Sequence, residues 1–210
     1  MTLAGRRAER EARFQQESTP FTEAVCFCER VTIKSMFSNP KKNLEQFNLI
    51  PGMTVADFGS GVGYYAFEAS KIVGDSGHVY AFDIQKEIVT SLAREAKVQN
   101  IKNLDALWVD LEKPSGSKLR SGTIDRVLLI NVLFQLEKKD AVLQEITRVL
   151  RPSGKVLVVE WSDIPRALGP SGQAIVSESM TKEFFAKNGF ALDRSINVGE
   201  HHYGLIFNKV

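Results

Sequence analysis

The stretch that decides the fold is VADFGSGVGYYAFEAS, residues 55–70. An apolar run reading as a β-strand leads into glycines at Gly59, Gly61 and Gly63, and a helical pattern follows. Strand, glycine turn and helix put the loop at the carboxyl edge of a sheet, where open α/β sheets bind ligands. Glycine lets the backbone turn tightly and lets a ligand approach it closely. A dinucleotide loop reads G-x-G-x-x-G; here the third glycine comes one residue early, with Tyr64 at the place of the expected one. Asp57, two residues before Gly59, repels a pyrophosphate but suits a cationic ligand. No Lys-Ser/Thr follows the glycines, which excludes a P-loop.

Outward from this loop the same alternation continues. HVYAFD (78–83), LDALWVD (104–110), IDRVLLIN (124–131) and GKVLVVEW (154–161) read as strands. The segments around residues 85–100 and 138–150 read as helices, the second closed by RPSG. Strands alternating with helices imply βαβ units and a parallel sheet. The tail breaks the pattern. After a helix around residues 179–189, FALDRSIN and HHYGLIFNKV are separated only by VGE. That link is too short for a parallel crossover, so the two form an antiparallel hairpin.

The bulk properties bound the function. The chain has 210 residues, 43% hydrophobic and 25% charged, with a net charge of +2. This fits one α/β domain with an appendage, and the charge is too mild to argue for a nucleic-acid groove. No apolar run approaches the roughly 18 residues of a membrane span, and the charged N-terminus lacks a signal-peptide core, so a cytoplasmic location is expected. The two cysteines, Cys26 and Cys28, form no disulfide framework, and with only three histidines in the chain no metal site is expected. Residues 1–50 are read as an N-terminal extension and cap, and 51–210 as the ligand-binding domain.

VADFGSGVG resembles motif I of the class I S-adenosylmethionine (SAM)-dependent methyltransferases, with Asp57, Gly59, Gly61 and Gly63 in register. YAFDIQKEIV resembles motif II, with Asp83 about 20 residues beyond the loop, the spacing of an acid that reaches ribose hydroxyls. LWVDLEKP, IDRVLLINVLFQLE and EITRVLRPSGKVLVVEW resemble the later motifs, in order. The similarity covers roughly residues 39–210. Looser likeness groups the chain with the ubiquinone/menaquinone biosynthesis methyltransferases, many of which carry a His-Glu pair after the fourth strand; this chain has FQLE there.

The resemblance implies a Rossmann-like α/β fold: a seven-stranded sheet, order 3-2-1-4-5-7-6, strand 7 antiparallel, helices on both faces. It implies SAM as cofactor. Gly59, Ser60, Gly61 and Gly63 would form the loop against its methionine and ribose parts, and Asp57 would face its amino-acid end. Asp83 would take the ribose hydroxyls, and Ile84 would pack on adenine. Asp110 would accept from the adenine amino group with the Leu111 amide close by, and Asn131 would sit near the methionine moiety and transferred methyl. Asp83 also reads as a helix N-cap, Asp110 as a turn former, and Asn131 as a strand-end hydrogen bonder.

For the acceptor the reading is topological. Strand 5 ends at Glu160 and Trp161, and a reversed strand 7 starts at the same rim, bringing His201, His202 and Tyr203 there. Glu160 and His202 are the candidates for a base or acceptor-orienting group. Phe134, Trp161, Tyr64 and Tyr65 are candidates for an aromatic wall suited to a sulfonium, although Tyr65 also reads as a helix-core position. A small organic acceptor is expected first, a protein or RNA substrate second, and a non-catalytic SAM-binding module third.

Overall fold

The computed structural model describes residues 39–162 and 175–210. Helix α1 (Pro40–Gln46) is followed by β1 (Thr54–Phe58), α2 (Tyr64–Val73), β2 (His78–Asp83), α3 (Lys86–Val98), β3 (Leu104–Trp108) and β4 (Ile124–Ile130). A 3-10 turn (Leu133–Gln135), α4 (Lys139–Val149), β5 (Leu150–Trp161), α5 (Glu178–Lys187), β6 (Phe190–Ile196) and β7 (His202–Lys209) complete the order.

All seven strands join one sheet in the order β3-β2-β1-β4-β5-β7-β6. β1, β2, β3, β4 and β5 pair in parallel, and β7 runs antiparallel to both β5 and β6. This is the expected topology. Alternation along each strand divides the core between the two faces of the sheet. On one face Val55, Val79, Leu128, Leu157 and Ile206 pack with Leu44, Ala66, Ala69 and Leu92 from α1, α2 and α3. On the other, Phe58, Phe82, Val127, Val158 and Leu205 pack with Val142, Ile146 and Phe185 from α4 and α5. Covering both faces is what lets the central strands carry nearly continuous apolar sequence.

The compact unit containing the sheet begins at Ser38. Asn39 caps α1 by accepting from Lys42 N at 3.2 Å, with Pro40 at the first helical position. Leu44, Phe47 and Leu49 are buried in the sheet's own core, so residues 40–50 belong to this packing. Cys26, Cys28, the charged N-terminus and the rest of the expected cap lie outside the described residues.

RPSG, read as the end of a helix, lies inside β5. Between the pairs Ile124↔Leu150 and Arg126↔Lys155 the register shifts. Pro152 has no N–H to give a ladder, and Gly154 stands where a Cβ would meet Leu150 Cδ2 at 2.7 Å. The strand therefore bulges and then resumes. No helix among the described residues is long and apolar enough to cross a membrane.

Candidate functional site

The exits of β1 and β2 are joined by backbone hydrogen bonds. Gly59 N and Ser60 N both donate to Phe82 O, at 2.9 and 2.8 Å. Gly61 N donates to Asp83 Oδ2 at 3.0 Å, and Gln85 N donates to Asp83 Oδ1 at 2.9 Å. The Asp83 carboxylate thus fixes the glycine loop on one side and opens the α3 segment on the other. Its expected N-cap-like role is visible in the bond to Gln85 N.

The glycines do different work. Gly59 has φ +81°, and a Cβ there would meet Val132 Cγ2 at 2.6 Å, so the loop lies hard against the exit of β4. Gly63, at φ +87°, precedes α2, and a Cβ there would meet Leu92 at 2.8 Å. A Cβ on Gly61, at φ +51°, would meet nothing within 4 Å. Two glycines serve packing and one leaves open space.

Three buried polar atoms at these exits have no hydrogen-bond partner among the described residues: Asp57 Oδ2, Ser60 Oγ and Asn131 Oδ1. Buried polar atoms in native folds are nearly always satisfied, so such a group has room for a partner such as a ligand or an ordered water. Burial pushes the Asp57 carboxyl up to about 7, the nearby Asp83 charge adds to this, and a backbone hydrogen bond from Ala66 opposes it. A cation would repay that cost. Orphaned acceptors, a poised carboxyl and the space above Gly61 fit a ligand with a cationic amino-acid end, as SAM has.

Ile84, expected to pack on adenine, is 61% exposed at the exit of β2. Trp108 Nε1 donates to Ile84 O at 2.8 Å, holding that segment to β3, and Lys86 Nζ sits 5.3 Å from the Trp108 ring centroid. Asp110 accepts from Glu112 N at 3.0 Å and pairs with Lys113 at 3.3 Å, so its turn-forming role is visible here. Leu111 is buried in the core.

The two acceptor-side candidates are not brought together. In the β5–β7 ladder Glu160 pairs with Tyr203 and Trp161 with His202. Neighbouring positions on a strand point to opposite faces, so Glu160 and His202 lie on opposite sides of the sheet. Glu160 is 1% exposed and accepts from Leu133 N at 2.6 Å. Burial pushes its carboxyl up to about 7, against hydrogen bonds from the Leu133, Val132 and Trp161 backbone and the charge of Lys139. It closes the start of the 3-10 turn after β4 and does not face an open cleft.

His202 packs against Trp161 with ring centroids 4.2 Å apart and planes tilted by 35°, and its Nε2 lies 3.3 Å from Asn131 Nδ2. The expected aromatic wall is dispersed. Tyr65 turns into the core and accepts from Asn43 Nδ2 at 2.7 Å, while Tyr64 is 73% exposed.

Sequence reasoning missed Val132, whose side chain shapes the site against Gly59, and Trp108, which pins Ile84. An aliphatic residue after a strand and a tryptophan at its end carry no local signal of either role. Tyr203, expected at the same rim as His202, has its hydroxyl 2.7 Å from Thr181 Oγ1 and donates to Val176 O at 2.8 Å.

The comparisons with known proteins agree with this geometry. Residues 49–203 match the family model described as a methyltransferase domain. The ubiquinone/menaquinone biosynthesis C-methyltransferase UbiE of Bordetella parapertussis is 33% identical over 121 residues, 58% of this chain and 45% of that protein. A UbiE of a Shewanella species is 33% identical over 116 residues, 53% of this chain and 44% of that protein. The chain thus spans under half the length of these curated relatives. Among solved structures, a SAM-dependent methyltransferase from Aquifex aeolicus superposes with a TM-score of 0.78 at 29% identity, over 84% of this chain and 93% of that one. The geranyl diphosphate C-methyltransferase of Streptomyces coelicolor A3(2) shares the fold, with a TM-score of 0.66 at 12% identity over 81% of this chain and 79% of that one. Glycine loop, the acid at the end of β2, sheet order and family match converge: the chain belongs to the class I SAM-dependent methyltransferases.

Proposed function

We propose that the protein methylates a small organic acceptor. The observation that supports this reading is the likeness to UbiE, whose name denotes C-methylation in ubiquinone/menaquinone biosynthesis. The cofactor, when bound, supplies a methyl group on a sulfonium, already joined to a good leaving group. The protein's task is then alignment and exclusion of water. Asp83 holds the ribose side and fixes Gly61. Asp57 and Ser60 take the amino-acid end. Ile84, held by Trp108, packs against the base, with Asp110 and the Leu111 amide beside it. Asn131 lies by the methionine moiety.

Glu160 contributes by fixing the β4 exit, not by taking a proton from the acceptor. His202 is tied to the proposed methionine side through Asn131, 3.3 Å from its Nε2. Incubation with SAM carrying a radioactive methyl and fractionated cell extract tests the proposal. Label in the small organic fraction supports it and yields the product. Label in protein or RNA overturns it in favour of a macromolecular substrate. No label, with SAM binding intact, overturns it in favour of a SAM-binding module.

A further inference from the structure

Asn131 is held from several sides. Its φ is +55°, a left-handed conformation that Asn tolerates better than most residues. Its N–H donates to Val159 O at 2.8 Å, and its carbonyl accepts from Gln135 Nε2 at 2.8 Å. The backbone is therefore fixed, and the remaining freedom is which end of the carboxamide faces the site.

The hydrogen bonds of His202 decide that. Its Nδ1 lies 3.3 Å from Glu200 O. A carbonyl oxygen only accepts, so Nδ1 carries the hydrogen. In the neutral ring Nε2 is then an acceptor. Asn131 must offer it the NH2 group, at 3.3 Å, and Oδ1 is turned the other way. That is the Oδ1 left buried and without a partner among the described residues, at the exit of β4, the strand that pairs with the β1 strand carrying Asp57. Packing against the tilted Trp161 ring, with centroids 4.2 Å apart, restricts the imidazole.

We propose that His202 is a positioning residue: through its Nδ1–H tautomer it orients the Asn131 carboxamide so that Oδ1 accepts from the cationic methionine end of the cofactor. The role rests on the cofactor binding at this edge. An imidazole with its hydrogen on Nε2 instead, or a doubly protonated one, would present a donor to Asn131 and favour the flipped amide.

Affinity for S-adenosylhomocysteine, measured by calorimetry on the full chain, tests this without turnover. Wild-type binding checks the cofactor site itself, and its absence would defeat the functional reading first. Given binding, His202→Ala should weaken affinity about tenfold, the effect of losing one hydrogen bond to a charged group. Asn131→Gly, which keeps the left-handed backbone, should do the same. The double variant should be no weaker than Asn131→Gly alone. His202→Gln, which again offers an acceptor, should restore affinity to within about threefold of wild type, as the orienting hydrogen bond is remade. Should His202→Ala still cost about tenfold in the Asn131→Gly background, the two act independently and the proposal fails. Nitrogen-15 shifts of the wild-type ring give a second reading that needs no variant: hydrogen on Nδ1 supports the role, and hydrogen on Nε2 overturns it.

Discussion

Gly61 N donates to Asp83 Oδ2 at 3.0 Å, so the acid proposed to take the ribose also holds the loop proposed to face the methionine. One carboxylate organises both halves of the site before any ligand arrives. Asp83→Ala should therefore weaken SAM binding by tenfold or more, since charge-assisted hydrogen bonds contribute roughly 1.5–3 kcal/mol each. Calorimetric titration with SAM checks it, and unchanged affinity would refute the assignment.

Gly59 and Gly61 should separate when substituted. Gly59→Ala forces a left-handed Ala against Val132 Cγ2 at 2.6 Å and should lower the melting temperature by several degrees, as a loss of about 1–3 kcal/mol would. In Gly61→Ala the new methyl meets no protein atom within 4 Å. Its thermal cost should be smaller, and its main effect should be weaker SAM binding, because the methyl occupies the space open above the loop. Melting curves with and without ligand compare the two.

Asp57 should make cofactor affinity depend on pH. Its carboxyl is pushed from 3.8 up to about 7 by burial first and by Asp83 second. A cationic ligand favours the ionised form, so binding below pH 7 must first release a proton. Affinity for S-adenosylhomocysteine should rise from pH 6 to pH 8, and Asp57→Asn should flatten that slope.

Glu160 and Asp57 together should also tilt stability. Both carboxyls are raised to about 7 in the fold. The folded state holds protons that the unfolded chain has already lost, so the contribution is full below the ordinary carboxylate range and is lost as pH rises through 7. Urea midpoints should fall between pH 5 and pH 8. Glu160→Gln keeps an oxygen for Leu133 N and should retain turnover within about threefold, whereas Glu160→Ala strands buried N–H groups at about 1–3 kcal/mol. Loss of turnover in a well-folded Glu160→Gln would restore Glu160 as a proton acceptor.

Much of this architecture is legible in the chain. The HVYAFD run is β2 end to end, and Gly63 and Gly74 flank α2 on either side. The short VGE link predicts the antiparallel hairpin because no crossover fits in three residues. RPSG misleads because Pro and Gly mark a turn and a bulge alike. Leu44 and Phe47 read as a cap because local sequence does not say which surface an amphipathic turn will meet.

By itself the sequence determined the order of elements, the glycine loop and the acid at the end of β2, since these depend on period, backbone freedom and spacing along the chain. Tertiary structure alone decided which rim residues meet. The register Glu160↔Tyr203 and Trp161↔His202 sends Glu160 to one face and His202 to the other. Two neighbours on β5 thereby take separate roles: Glu160 holds the backbone after Asn131, while Trp161 packs on the histidine that meets the Asn131 side chain. Strand pairing is a long-range choice made by packing both faces of the sheet at once, and a one-residue slip would exchange those faces.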